Sequence, residues 1–84
     1  MFQFYVMEIQ QYQSGEYGDI KHFAYDEDLN IARNKAESKY HEVLAEAAVS
    51  DCLTHSAILF SSEGVPLLHQ CYKHEKKGDE DGNS

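Results

Sequence analysis

The sequence predicts an α+β fold of order β-β-α-β-β, in which a four-stranded antiparallel sheet made of two hairpins carries one long helix on one face. Three observations support this prediction. Between Asp26 and Val49 the apolar residues recur at steps of three or four, as on one stripe of a helix. The segments before and after this helix alternate apolar with polar residues, which is typical of strands. A turn with glycine divides each of those segments into two.

The first hairpin occupies the chain before the helix. Phe2 to Tyr12 is rich in aromatic and β-branched residues on both faces, which indicates a central strand or a strand whose second face meets a partner. Gly15 and Gly18 follow as turn residues, and a second strand is predicted from about Asp19 to Tyr25. Pairing across this turn gives half of the sheet.

The helix is predicted to begin at Asp26, which acts as the N-cap while the next two acidic residues favour the positive end of the helix dipole. Its charged residues lie off the apolar stripe and face solvent. Two ion pairs are expected there by spacing, Arg33 with Glu37 and Lys39 with Glu42. The stripe that should pack against the sheet consists of Leu29, Ala32, Ala36, Tyr40, Val43, Leu44 and Ala47.

The second hairpin follows the helix. Alternating residues predict strands over Thr54 to Ser61 and Val65 to Tyr72, joined by the short loop Ser62-Glu63-Gly64. Pro66 has no N–H to offer a strand partner. The fourth strand is therefore predicted to lie at the edge of the sheet.

The 84-residue chain is predicted to form one domain, residues 1–72, followed by a charged tail, residues 73–84, that lacks apolar anchors and is expected to be disordered. No apolar run is long enough to cross a membrane, and the N-terminal residues lack the pattern of a signal peptide. We therefore expect a cytoplasmic protein that does not bind membranes. Two cysteines are too few for a disulfide scaffold.

The formal net charge is −8, and almost all of it belongs to the predicted domain, because the tail carries three lysines against four acidic residues. An acidic domain repels phosphate groups, which argues against direct binding to nucleic acid or to an anionic membrane. A basic protein partner is compatible with this charge. Solubility alone also accounts for it.

One helix covers only one face of a four-stranded sheet. The other face is expected to expose a contiguous apolar patch, and such patches mark contact surfaces. Symmetric homodimerisation through that face is the simplest role, and another protein partner is the alternative. The sequence thus favours a small non-enzymatic binding or accessory protein. The residues assigned to the exposed face are Phe4, Val6, Tyr12, Leu59 and Tyr72, together with His55.

Three features of the chain resemble small uncharacterised proteins encoded by Gram-positive gut bacteria and their phages. They are an aromatic first strand that runs into a glutamine-rich turn with glycine (residues 5–15), a Tyr25-Asp26 entry to the helix, and a Glu63-Gly64-Val65 turn before a strand that ends at Tyr72. The resemblance spans about residues 2–72. It implies an accessory protein of a phage or mobile element, of unknown activity, and it carries over no catalytic residues.

Two Cys-x-x-His spacings raise the alternative of a structural zinc site. If the hairpin loop closes symmetrically, Cys52 lies opposite His74 and His55 lies opposite Cys71. Two thiolates and two imidazoles suit tetrahedral Zn²⁺, although residues three apart in a strand point to opposite faces. A redox-sensitive contact between the two cysteines is a second alternative. Two small, buried or half-buried cysteines without a cofactor are the simpler interpretation.

No catalytic motif is recognisable. His41 lies on the helix and His22 and His69 lie in strands, none with a nucleophile or a carboxylate at a recognisable spacing. The chain also lacks a phosphate-binding glycine loop and a nucleophile elbow. We predict that the protein is not an enzyme. A further alternative is an acidic mimic of nucleic acid that inhibits a DNA-binding or RNA-binding protein.

Overall fold

The computed structural model describes residues 1–76 and has the predicted β-β-α-β-β order, with one helix packed against a four-stranded antiparallel sheet. The elements are β1 (Phe2–Gln11), β2 (Tyr17–Asp26), α1 (Leu29–Ala48), β3 (Thr54–Ser61) and β4 (Pro66–Lys73). The strands lie side by side in the order β2-β1-β3-β4. β1 is therefore a central strand, and β4 is the predicted edge strand.

Both hairpin turns place a glycine where the backbone is left-handed. In the first turn the N–H of Tyr12 donates to the carbonyl of Glu16, and the N–H of Gly15 donates to the carbonyl of Tyr12, each at 2.8 Å. Gly15 has a φ of 95°, and Gly64 has a φ of 84° in the second turn. A side chain is disfavoured at such angles, so these two glycines allow the turns to close.

The β3–β4 ladder contains a bulge that the sequence did not reveal. Phe60 pairs with Pro66. Beyond this pair the register moves by one residue, so His55 lies opposite Tyr72. The predicted pairing of His55 with Cys71 was wrong for this reason. Because strand side chains alternate between faces, the shift places Cys71 on the opposite face from His55.

The N-cap of the helix is Asp28, and the prediction of Asp26 was wrong. The Oδ1 atom of Asp28 accepts hydrogen bonds from the N–H groups of Asn30 at 2.8 Å and Ile31 at 3.2 Å. Asp26 still belongs to β2, where its carboxylate accepts from the N–H of Asp28 and from Nζ of Lys35. Of three consecutive acidic residues, the last one, next to the first helical residue, is the cap.

The apolar stripe of α1 is confirmed except at its first residue. Leu29 is 48% exposed, and Leu44 is partly buried. Three of the residues that meet the sheet are alanines, whose small side chains allow the helix to approach it closely. The buried residues of the helix are Ala32, Ala36, Tyr40, Val43 and Ala47.

The helix covers the face of the sheet that we predicted to be exposed. Phe4, Val6 and Leu59 are at most 7% exposed and form the core together with the helix stripe. Their assignment to the exposed face was wrong, because both faces of β1 are apolar and the strand pattern does not say which one meets the helix. The acidic Glu8 also lies on this face and is 6% exposed.

The last strand extends one residue into the predicted tail. β4 ends at Lys73, and the N–H of His74 donates to the carbonyl of Leu53 at 2.9 Å. The rest of the predicted disordered tail, from residue 77 on, lies outside the described residues. Within residues 1–76, no helix is both long and apolar enough to cross a membrane.

Candidate functional site

The face of the sheet that the helix leaves uncovered carries a row of aromatic side chains. Tyr5 of β1 lies between its cross-strand partners Phe60 of β3 and Phe23 of β2. The ring centroids of Tyr5 and Phe60 are 4.9 Å apart, and those of Tyr5 and Phe23 are 5.7 Å apart. The ring of Tyr25 extends the row, 6.1 Å from that of Phe23. We call these four residues the aromatic row.

The aromatic row belongs to a larger apolar surface in contact with solvent. Phe23 and Tyr25 are each 49% exposed. Strand pairing and alternation place Met7, Ile9 and Ile58 beside the row on the same side. We call the surface formed by these residues and the aromatic row the helix-free face, because in the described chain α1 packs on the opposite side of the sheet.

The helix-free face is poor in charge although the chain is acidic. Among residues 1–76, its charged side chains are Asp19, Lys21 and Lys73. The Nζ atom of Lys21 lies 5.7 Å from the centre of the Tyr5 ring, a cation–π contact. The other acidic residues of this range lie in turns and connections, at strand ends, on the helix or beneath it. Most of the negative charge therefore lies outside the helix-free face.

A small cleft opens at the turn end of the β1–β2 pair. It has a volume of about 160 Å³ and is lined by Ile9, Tyr17, Gly18 and Asp19. Its carboxylate and its tyrosine ring suit the side chain of a lysine or an arginine. The cleft adds a polar position at the margin of the helix-free face.

Four of the five predicted interface residues lie on the helix side of the sheet. Phe4, Val6 and Leu59 are in the core, and Tyr72 is partly buried opposite the equally helix-facing His55. The fifth, Tyr12, is 42% exposed, but its ring covers the backbone of β2 beside the turn. The predicted residue set therefore does not form one exposed surface.

Sequence reasoning missed the aromatic row as a unit. Its local signal is the spacing of Phe23 and Tyr25, which are two residues apart and so share a face of β2. Tyr5 and Phe60 join them through pairing between distant parts of the chain, which a local pattern does not reveal.

The four residues of the alternative zinc site do not come together. His55 is 3% exposed beneath the helix, whereas Cys71 is exposed on the opposite face. Cys52 is a partly buried free thiol, and Nε2 of His74 lies 2.8 Å from the carbonyl of Ala47. Within residues 1–76, no group of three or more His, Cys, Asp or Glu side chains is placed to hold a metal ion. Both cysteines of this range are free, so the predicted contact between them is not formed.

A chain of hydrogen bonds runs through the interior below the helix. The carboxylate of Glu8 lies 2.9 Å from Nε2 of His22 and 2.6 Å from Nε2 of His55. The Nδ1 atom of His55 lies 3.0 Å from Oγ of Ser50, and that oxygen accepts from the N–H of Cys52 at 3.2 Å. These contacts tie three strands to the end of the helix. We call Glu8, His22, His55 and Ser50 the Glu8 network.

The carboxyl of Glu8 favours its charged form despite its position. Burial disfavours ionisation, but the hydrogen bonds and positive charge of His22 and His55 outweigh it and hold the pKa of Glu8 below its ordinary value. A buried carboxylate is tolerated when its oxygens are hydrogen-bonded. The two histidines are therefore what allows an acidic residue on the core face of β1.

Ser50, His55 and Glu8 follow one another like a nucleophile, a base and a carboxylate, but their setting does not favour catalysis. His55 is buried, and both of its ring nitrogens are engaged. Ser50 follows the C-terminal end of α1, where the negative end of the helix dipole opposes charge building up on an attacked carbonyl oxygen. We interpret the Glu8 network as a structural connection between helix and sheet.

No protein-family model matches the chain, and the comparisons with curated proteins and with solved structures give no match either. The resemblance to small proteins of gut bacteria and their phages stays a prediction. The geometry of the helix-free face is therefore the guide to function.

Proposed function

We propose that this chain is a small non-enzymatic binding protein that contacts another protein through the helix-free face of its sheet. The observation that carries the proposal is the aromatic row, which stays at the surface while the opposite face holds the core. Large contiguous apolar patches are rare on monomeric proteins, and those that persist commonly mark interaction sites.

Aromatic side chains are well suited to such contacts. Tyrosine and phenylalanine bury a large area with few rotatable bonds, and they are enriched at the centres of protein interfaces. Tyr5 has ring contacts with Phe60 on one side and Phe23 on the other. A ring that is already held in place loses little conformational freedom when a partner binds. The centre of the row is thus arranged in advance for binding.

The distribution of charge indicates which kind of partner surface fits the helix-free face. The chain has a net charge of −8, yet the helix-free face carries few charges at its centre. A net negative charge attracts basic groups and speeds their association. We therefore expect a partner with an apolar contact surface bordered by lysine or arginine.

The helix-free face of one copy is small for a stable interface. With strands about 4.8 Å apart and about 3.3 Å per residue, four strands that average about nine residues present roughly 570 Å². A typical stable interface covers about 800 Å² on each partner. Binding by a single copy should therefore be weak, with a dissociation constant in the micromolar range.

Selection of displayed peptides tests the proposal with defined probes. A random peptide library is selected on the wild-type protein, and the affinities of the enriched peptides are then measured on Phe60→Thr. Threonine keeps strand propensity but removes the ring that stacks on Tyr5. We expect the enriched peptides to combine apolar residues with lysine or arginine, and their affinity to fall at least about tenfold on the variant.

The matched control removes an exposed apolar side chain from another surface. Ile31 is 46% exposed on the helix, so Ile31→Thr should leave peptide binding unchanged. Enriched peptides that bind wild type and Phe60→Thr equally well would overturn the proposal, because the binding surface would then lie elsewhere.

The alternative of an acidic mimic of nucleic acid has less support. On the solvent side of the helix, Arg33 lies 3.0 Å from Glu37 and Lys39 lies 2.6 Å from Glu42, as the spacing predicted. These pairs locally neutralise part of the acidic surface that a mimic would use. A role as an accessory protein of a phage or mobile element, which the resemblance implies, is compatible with the proposed binding function.

A further inference from the structure

The outer edge of β2 presents backbone groups that have no strand partner in the described chain. In the first turn, the hydrogen bond from Tyr12 to Glu16 fixes which residues of β1 and β2 bond to each other. Even-numbered residues of β2 bond to β1, so the N–H and C=O groups of its odd-numbered residues point outward. The outward-facing residues are Tyr17, Asp19, Lys21, Phe23 and Tyr25.

The two edges of the sheet differ in how well they are protected. On β2, Nζ of Lys35 donates to the carbonyl of Tyr25 at 3.3 Å and covers the end next to the helix. Within residues 1–76, no strand pairs with the remainder of this edge, from Tyr17 to Phe23. The other edge strand, β4, begins with Pro66 and carries the bulge, and both features hinder pairing with a further strand. β2 is thus the edge that a further strand can join.

We infer that β2 pairs antiparallel with β2 of a second copy of this chain, with Asp19 of each copy opposite Lys21 of the other. The charges select this register. Moving the pairing by one hydrogen-bonded step places Lys21 opposite Lys21 in one direction and Asp19 opposite Asp19 in the other. Like charges directly opposite each other are destabilising, whereas opposite charges stabilise a strand pair.

The same register matches the remaining side chains. Tyr17 falls opposite Phe23 of the second copy, on the helix-free side, at both ends of the pairing. Ile20 falls opposite Ile20 of the second copy, on the helix side, where it is 49% exposed in the single chain. About eight hydrogen bonds form between the two segments. Backbone, charge and apolar contacts thus agree on one arrangement.

The pairing joins two sheets into one of eight strands. Because edge-to-edge pairing keeps both helices on the same side, the two helix-free faces become one surface of roughly 1,100 Å². That area reaches the size of a typical protein interface. The pairing does not require a partner on that surface, and its tests use this protein alone, so the two proposals can fail independently.

A disulfide at position 20 reports the register directly. In a background of Cys52→Ser and Cys71→Ser, the variant Ile20→Cys is left to oxidise in air. Directly opposed residues that are not hydrogen-bonded have Cβ atoms about 5 Å apart, close enough for a disulfide after a small adjustment. We expect most of the protein to run as a covalent dimer on a non-reducing gel. Lys21→Cys in the same background is the matched control and should run as a single chain on the same gel, because the residue opposite position 21 is Asp19 and not a second cysteine.

Two outcomes of the cross-linking experiment would contradict the inference. Cross-linking at position 21 but not at position 20 would overturn the register, and cross-linking at neither would overturn the pairing. Circular dichroism of both variants checks that the helix is retained.

Exchange of the two charges gives a second test, read by sedimentation equilibrium. Asp19→Lys and Lys21→Asp each place like charges opposite each other at both symmetric positions, and each should raise the dimer dissociation constant roughly tenfold. The double variant restores opposite charges and should return the constant to near its wild-type value. The inference would be overturned if the double variant had a dimer dissociation constant as high as those of the single variants. It would also be overturned if the wild-type protein were monomeric at every concentration measured.

Discussion

The two faces of the sheet are both apolar, yet the molecule uses them differently. The face under the helix is built mainly from Phe4, Val6 and Leu59, which are at most 7% exposed. On the helix-free face, Phe23 and Tyr25 remain half exposed. Of these three core residues only Phe4 carries a ring, and the helix meets this face with three alanines as well as Tyr40 and Val43, whereas the other face holds four rings in a row. A row of four rings would hold a helix farther from the sheet than this mixed face does, so the two faces differ in side-chain size as well as in burial.

The polar groups of the two faces differ in a related way. The helix side buries Glu8 between His22 and His55 at hydrogen-bonding distance. The other side keeps Lys21 near the ring of Tyr5, in contact with solvent. A buried charge needs fixed partners, whereas an exposed one can exchange its partners when another molecule binds. The helix side is thus committed to one folded state, and the helix-free face stays available for contact.

The largest loss of stability should come from the centre of the covered face. Leu59 is fully buried, so Leu59→Ala should lower the free energy of unfolding by about 3 kcal/mol, the sum of lost burial and a cavity. A domain of this size has a total stability of about 5–10 kcal/mol. Urea denaturation followed by circular dichroism should show a clearly lower midpoint.

The neighbouring residue supplies the matched control. Ile58 points to the helix-free face and is only partly buried, so Ile58→Ala should cost about 1 kcal/mol. Equal losses in the free energy of unfolding for Leu59→Ala and Ile58→Ala would mean that both faces of the sheet are buried. The proposed difference between the two faces would then be wrong.

The next largest effect should come from the buried charge. Glu8→Gln removes the carboxylate charge and places an NH2 group, which can only donate, against one of the two imidazoles, which should cost about 2 kcal/mol at neutral pH. The pKa of Glu8 is lowered in the folded state, so ionised Glu8 contributes its stabilisation above about pH 4.3 and loses it as the pH falls through the folded pKa. Denaturation at a series of pH values from 7 to 3 measures this dependence.

The variant should therefore lose less stability than wild type between about pH 5 and pH 3. Glu42→Gln is the matched control, because Glu42 pairs with Lys39 at the surface of the helix. Its midpoint should stay close to that of wild type at neutral pH. Parallel pH profiles for Glu8→Gln and wild type would show that the Glu8 network does not hold the charge in place.

The architecture could be predicted from the sequence because its signals are local. The helical period, the strand alternation and the turn glycines Gly15 and Gly64 each act over a few residues. The N-cap residue was harder to predict, because three consecutive acidic residues precede the helix. Only the backbone conformation identifies Asp28 as the N-cap. Local patterns thus gave the elements and their order but not their ends.

The assignment of the two faces failed because it depends on distant contacts. The core face of β1 contains Glu8, whose carboxylate is buried between His22 and His55, and these lie 14 and 47 residues away in the chain. The bulge beside the Phe60–Pro66 pair also depends on contacts between strands. One extra residue in β4 changes which residues of β3 and β4 lie opposite each other beyond that point. The aromatic row was missed for the same reason, since strand pairing assembles it.

The smallest effect is expected at the rim of the aromatic row. Tyr25→Thr removes a half-exposed ring whose neighbour, the ring of Phe23, is 6.1 Å away, and threonine is itself a good strand former. The free energy of unfolding should fall by about 0.5 kcal/mol. Phe4→Thr, a similar substitution under the helix, should cost about 3 kcal/mol or more. Urea denaturation compares the two, and a loss for Tyr25→Thr close to that for Phe4→Thr would mean that the rim belongs to the folded core and is not free for contact.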